Sequence, residues 1–202
     1  MDMITKRPRT RLTPKKRKLQ LLEIGIEVFA RRGIGRGGHA DIAEVAQVSV
    51  ATVFNYFPTR EDLVEAVLSD VEQHFANFLN QNIDHSLPVR QNLDNLCQQL
   101  IDAVLDDAQW LKIWFEWSTS TRDDVWPLFV ATHGKHQQYF RDLFSNSIKN
   151  GELEEKHNPG NIAKLFHGMC YSLFIQANRT PDKQYLTQLT TSFLDMLCIY
   201  KN

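Results

Sequence analysis

Three cysteines in 202 residues, Cys97, Cys170 and Cys198, are too few and too scattered for a disulfide framework, and their spacing fits no zinc site. They read as small buried hydrophobes. His157, His167 and Cys170 are likewise badly spaced for metal ligation. No apolar run reaches the roughly 18 residues a membrane-spanning helix needs. The basic stretch Met1 to Arg11 has no apolar segment behind it, so it is not a secretory signal. Cytoplasmic residence with no membrane partner is the expectation. Strand-type alternation with turn pairs is absent, as are internal repeats and low-complexity segments. Four of the nine glycines crowd into Gly33 to Gly38, but no Walker or Rossmann pattern surrounds them. Asp123-Asp124 and Glu154-Glu155 read as solvated surface, and no nucleophile–base order lies in a recognisable motif. No catalytic residue, metal or cofactor is expected.

What the chain does have is an uneven distribution of charge. Residues 1–60 carry 12 Lys and Arg against 5 Asp and Glu, a net of +7, whereas residues 61–202 carry a net of −8. A basic head on an acidic body suits a head that binds a polyanion; the alternative is a solvated basic tail.

Helical periodicity runs through nearly everything after residue 12, which makes the fold class all-α. Thr13-Pro14 is a helix-start signature, with an N-cap oxygen followed by a proline at N1. The first helix then runs to about Arg32 and Gly33 ends it. Short helices are expected from Ala40 to Gln47 and, capped by Ser49, from Val50 to Tyr56, with Pro58 as the stop. Long helices follow over about Arg60–Asn80 and Leu93–Leu105, then an aromatic segment Trp110–Ser118 and a piece Arg122–Val130 containing Trp126-Pro127. The last three are His133–Lys149, Asn161–Ala177 and Lys183–Tyr200. This divides the chain into a flexible basic arm (1–12), a helical head (13–60) and a longer helical body (61–202); the motif and resemblance below imply a helix-turn-helix DNA-binding domain for the head and a regulatory and dimerisation domain for the body.

The informative stretch is Ile42 to Leu63. Ile42, Ala43 and Ala46 pack the first short helix, and Val53, Phe54 and Phe57 are buried by the second. The outward face is small or polar, as a helix in a major groove requires: Ser49, Val50, Ala51, Thr52 and Asn55 are the base-reading set. Asn can bond adenine bidentately, while small methyl groups meet thymine methyls. Lys15, Lys18, Tyr56 and Arg60 are expected at phosphates. In front of such a head, Lys6 and Arg7 would add phosphate contacts, and Arg9 and Arg11 would enter a narrow minor groove.

The same stretch resembles the TetR-family signature, I-A-x-x-A-G-V-S-x-x-x-x-Y-x-x-F-x-x-K-x-x-L. It departs from it at Gln47 (turn glycine), Phe54 (first tyrosine) and Arg60 (lysine), and Gly38 stands where a capping threonine is common. A glutamine at a left-handed turn position carries a modest steric cost. Lys6 to Leu12, Arg32 to Glu44, Ser49 to Phe57, Trp114 to Ser118 and Met196 to Lys201 further resemble a branch of that family, the Vibrio LuxR/HapR/SmcR/LitR group. The resemblance implies a quorum-sensing master regulator, from a group with both activators and repressors, that binds a double-stranded DNA operator. Activation would bring in RNA polymerase as a partner.

Family resemblance also implies a cavity between the later helices, although periodicity alone cannot separate core from cavity wall. Its expected lining is Phe75, Phe78, Leu79, Leu100, Trp114, Phe129, His133, Gln137, Phe166 and Cys170, around an unknown small hydrophobic ligand. The last two helices have more apolar surface than one stripe, which points to a four-helix bundle across a homodimer axis; the alternative is that both helices are buried within one subunit. Leu165, Met169, Leu173, Leu186, Leu189, Phe193 and Leu197 are its expected contacts. Two other readings stand beside this one: a ligand-released local repressor, and a helical carrier or enzyme with a basic tail.

Overall fold

The computed structural model describes residues 12–120 and 126–197, without the side chains of 126–129 and 131–133. The arm residues Lys6, Arg7, Arg9 and Arg11 lie outside the described residues. All regular elements among the described residues are helices, and none is long and apolar enough to cross a membrane. The chain divides into two compact units, Met1–Val67 and Leu68–Asn202.

The first unit holds α1 (Pro14–Arg32), α2 (His39–Ala46), α3 (Val50–Phe54) and the opening turns of α4 (Arg60–Asn82). Thr13 caps α1 through a bond from the Lys16 amide, with Pro14 at N1. Gly33, at φ 83°, ends it. The loop to α2 returns tightly over α1: a Cβ on Gly37 would stand 2.4 Å from a ring carbon of the fully buried Phe29. Gly38 offers no capping oxygen. Its amide instead donates to the Asp41 carboxylate at 3.0 Å, and Asp41 also pairs with Arg32 at 3.2 Å, tying the two helix ends together. This unit reaches past the expected limit at residue 60. Leu63 and Val67 are fully buried, and the close approach of Gly25 to Val67 seats the start of α4 on α1.

In the second unit the rest of α4 is joined by α5 (Val89–Leu105), α6 (Gln109–Ser118), α7 (Trp126–Lys149), α8 (Pro159–Arg179) and α9 (Lys183–Met196). Helix α8 packs against α5, α7 and α9, and Leu93, Phe144, Phe166, Leu173 and Leu194 fill the space between them. The expected break between Val130 and His133 does not occur. Helix α7 is continuous from Trp126, with Pro127 as its second residue, where no amide is required from it. Helix α8 starts two residues earlier than expected, at Pro159, behind the N-cap Asn158.

Candidate nucleic-acid interface and apolar cavity

Helix α3 has only five residues, so it exists by virtue of its ends and its packing. Ser49 Oγ accepts from the Thr52 amide at 3.2 Å and lies 2.8 Å from Thr52 Oγ1. The turn before it is closed by Gln47 in the left-handed region, at φ 52° and ψ 45°. Below α3, Val53 and Phe57 are buried. Above it, Val50, Ala51 and Asn55 are exposed, forming a small, mixed apolar and amide face. Ser49 and Thr52, expected to read bases, are bonded to each other at the helix start, so their first role here is capping.

The described residues expected at phosphates lie on α1, in the turn after α3 and at the start of α4. Lys15 and Lys18 are exposed on α1, and the Lys18 ammonium sits 5.8 Å from the centre of the Phe57 ring. Tyr56 is half-buried. Arg60 departs from its expected role: its guanidinium donates to the Ile34 carbonyl at 2.7 Å, locking the α1–α2 loop to the start of α4. Phe54, expected to be buried, is 45% exposed, with one ring face stacked on His39 at 4.0 Å.

The second unit contains an apolar cavity with about 40 Å³ of free space. Eight of the ten expected residues line it: Phe75, Phe78, Leu79, Leu100, Trp114, Gln137, Phe166 and Cys170. The side chains of Phe129 and His133 lie outside those described. Sequence reading missed His136, one residue before Gln137, and His167, one turn of α8 before Cys170. Phe75 and Trp114 stack at 3.9 Å, and both present faces or edges to the His136 ring, at 4.9 and 5.4 Å. Burial, with a smaller contribution from Lys135, pushes the His136 pKa down to about 4. The Glu72 carboxylate is 3.8 Å from His136 Nε2, too far for a hydrogen bond, and does not offset that burial. Burial lowers His167 in the same direction. The Cys97 thiol hydrogen-bonds to that of Cys170, which together with burial raises the Cys97 pKa and keeps it protonated. Among the described residues no group of side chains is arranged to hold a metal ion.

The residues expected at a dimer interface separate into two sets. Leu165 is 56% exposed, and Leu189 and Phe193 are half-buried. Leu173 and Leu186 are fully buried, and Met169 and Leu197 nearly so; these four pack the subunit's own core. Leu165 and Gly168 on α8 and Tyr185, Ser192 and Met196 on α9 are exposed, with Ser172 and Leu189 half-buried beside them in sequence at helical spacing.

A capped three-residue turn between two short helices, with a small amide-bearing face on the second, defines a helix-turn-helix DNA-binding protein. The family profile described as "Bacterial regulatory proteins, tetR family" matches residues 21–67. Over 200 residues the chain is 60% identical to the HTH-type transcriptional regulator LuxR of Vibrio harveyi, covering 99% of this chain and 98% of that protein. The chain belongs to the TetR family of bacterial transcriptional regulators, proteins that bind DNA operators and act as dimers. It is also 24% identical to the transcriptional repressor KstR2 of Mycolicibacterium smegmatis, over 72% of each chain. Among solved structures it shares its fold with a TetR-family regulator from Agrobacterium tumefaciens, with a TM-score of 0.77 at 18% identity, covering 94% of this chain and all of that one. A Rhodococcus regulator of the same family gives 0.76 at 18% identity, over 90% of this chain and 98% of that one.

Proposed function

We propose that the chain is a quorum-sensing master regulator, activating some promoters and repressing others, that reads its operator with Val50, Ala51 and Asn55 of α3. The observation that carries the reading of bases is the exposure of these three residues on a helix whose other side chains are committed to capping and packing. The quorum-sensing role rests on similarity to the Vibrio harveyi regulator along nearly the whole of both chains. Two copies would be joined through the outward faces of α8 and α9, placing two α3 helices about one turn of DNA, roughly 34–36 Å, apart. The basic arm would add Lys6 and Arg7 to phosphates and Arg9 and Arg11 to the minor groove, with Lys15, Lys18 and Tyr56 at the backbone. RNA polymerase is the partner that activation requires.

A second reading concerns the cavity. Its aromatic walls with few polar groups suit a small, neutral, hydrophobic ligand. Its free space of about 40 Å³ holds on the order of three waters, so such a ligand enters only if the walls open.

The test of the principal reading is an operator duplex selected from random-sequence DNA by the wild-type protein. Asn55→Ala is expected to lose roughly 1–3 kcal/mol of operator binding, the worth of a bidentate base contact, while remaining a folded dimer. Wild-type affinity and specificity in a mobility-shift titration would remove Asn55 from the interface.

A further inference from the structure

His39 is the first residue of α2 and is only 7% exposed, and its ring contacts the last residue of α3 and the turn just beyond it. Its Nε2 lies 2.7 Å from the Phe57 carbonyl. A carbonyl only accepts, so Nε2 carries the proton and donates. The same ring lies parallel to the Phe54 ring, 4.0 Å between centres and 9° between planes. Phe54 is the last residue of α3, and Phe57 is buried just beyond it.

These contacts supply what α3 lacks. The helix start is held by Ser49, and its middle by Val53. At its end, Asn55 occupies the C-cap with helical φ and ψ, and a turn follows directly. A five-residue helix has no cooperative length to resist tilting or unwinding there. Asn55 itself sits at that end. The pitch of its amide towards a base edge therefore depends on whatever fixes the C-terminal end of α3, and a stacked, hydrogen-bonded ring from another helix does this with little freedom left.

We infer that His39 is a positioning residue for operator reading: stacked on Phe54 and bonded to the Phe57 carbonyl, it sets the orientation of the C-terminal end of α3 and hence of Asn55. The inference rests on α3 being the base-reading helix. Phosphate contacts, being less dependent on a side chain's angle, are left largely unchanged when His39 is altered.

The experiment compares His39→Ala, His39→Phe, Phe54→Ala and the double variant His39→Ala/Phe54→Ala with wild type and with Asn55→Ala. Binding is measured by fluorescence anisotropy, at a temperature well below every variant's Tm, on the selected operator duplex and on a scrambled duplex of the same length. For His39→Ala we expect at least a tenfold loss of operator affinity, with scrambled-duplex affinity and the salt slope within about twofold of wild type. His39→Phe, which keeps the ring and loses the donor, is expected to lie between the two. The double variant should lose no more than the worse single one, because both act through one contact. Unchanged operator affinity in His39→Ala or His39→Phe, a parallel loss on both duplexes, or additive losses in the double variant would overturn the inference. If His39→Ala does not fold, His39→Phe and Phe54→Ala carry the same comparison. Full operator affinity in Asn55→Ala would instead remove the reading of α3 on which the inference stands.

Discussion

Arg60 and Ile34, 26 positions apart, are joined by a 2.7 Å hydrogen bond from the guanidinium to the main-chain carbonyl. This bond fixes the glycine-rich loop to α4, so Arg60 belongs to the stability of the DNA-binding unit. Arg60→Met should lower stability by about 1–3 kcal/mol, the usual worth of a hydrogen bond from a charged group. Thermal unfolding would register this as about 2–4 °C for each kcal/mol. The slope of log affinity against log salt should move little, whereas a lost phosphate contact would lower it by about 0.9.

Gln47→Gly should be stabilising. A non-glycine residue in the left-handed region costs roughly 1–2 kcal/mol, part of which glycine returns as unfolded-chain entropy. A net gain of up to about 1 kcal/mol is expected in denaturant melts of the full chain. Equal or lower stability would mean that the Gln47 side chain contributes a contact worth as much as the strain.

If the proposed dimer face is right, Leu165→Arg and Leu189→Arg yield monomers that keep their helical content and lose operator affinity. Leu173→Ala and Leu186→Ala should behave differently. Both side chains are fully buried within the subunit, so truncation should cost about 2–5 kcal/mol of stability and act on the dimer only through it. Sedimentation at micromolar concentration separates these outcomes. Intact dimers in both arginine variants would place the interface elsewhere.

Acid should weaken the second unit through His136. Its folded pKa of about 4 lies below the ordinary 6.5, so the unfolded chain takes up a proton first as pH falls. The contribution is fully present above about pH 6.5, declines as pH falls, and is lost by about pH 4. His167 acts with the same sign. Thermal melts across that window should show His136→Leu with a flatter pH dependence than wild type. Parallel curves would mean that protonation of His136 does not distinguish the folded from the unfolded chain.

The helices and the recognition motif were legible because their signals are local: Thr13-Pro14, Ser49 and the apolar spacing of Leu63 and Val67 each act over a few residues. The pieces Arg122–Val130 and His133–Lys149 were read apart, although from Trp126 onward they are one helix, α7. The apolar surplus on α8 and α9 was real, but periodicity could not say which side meets a partner. Leu173 and Leu186 turn inward because neighbouring helices cover them, Leu186 being packed on Ile101 of α5 and Ala177 of α8, a long-range fact. The cavity was expected from the family resemblance and not from its aromatics, which read equally as core, and His136 was passed over for His133, three positions earlier on the same helix. His39 lay inside the resembling stretch Arg32 to Glu44 without a role of its own, since its meaning comes from Phe54 and Phe57, which reach it only after the chain has turned.

The division of labour on α3 has an evolutionary corollary. Ser49, Val53, Phe57 and, from α2, His39 hold the helix in place, and none of them needs to meet a base. Val50, Ala51 and Asn55 face outward and contribute little to the fold. On the proposed reading of bases by these three residues, operator preference can drift by substitution at solvent-facing sites while folding remains untouched, and a regulator of this design can acquire new promoters without passing through an unstable intermediate.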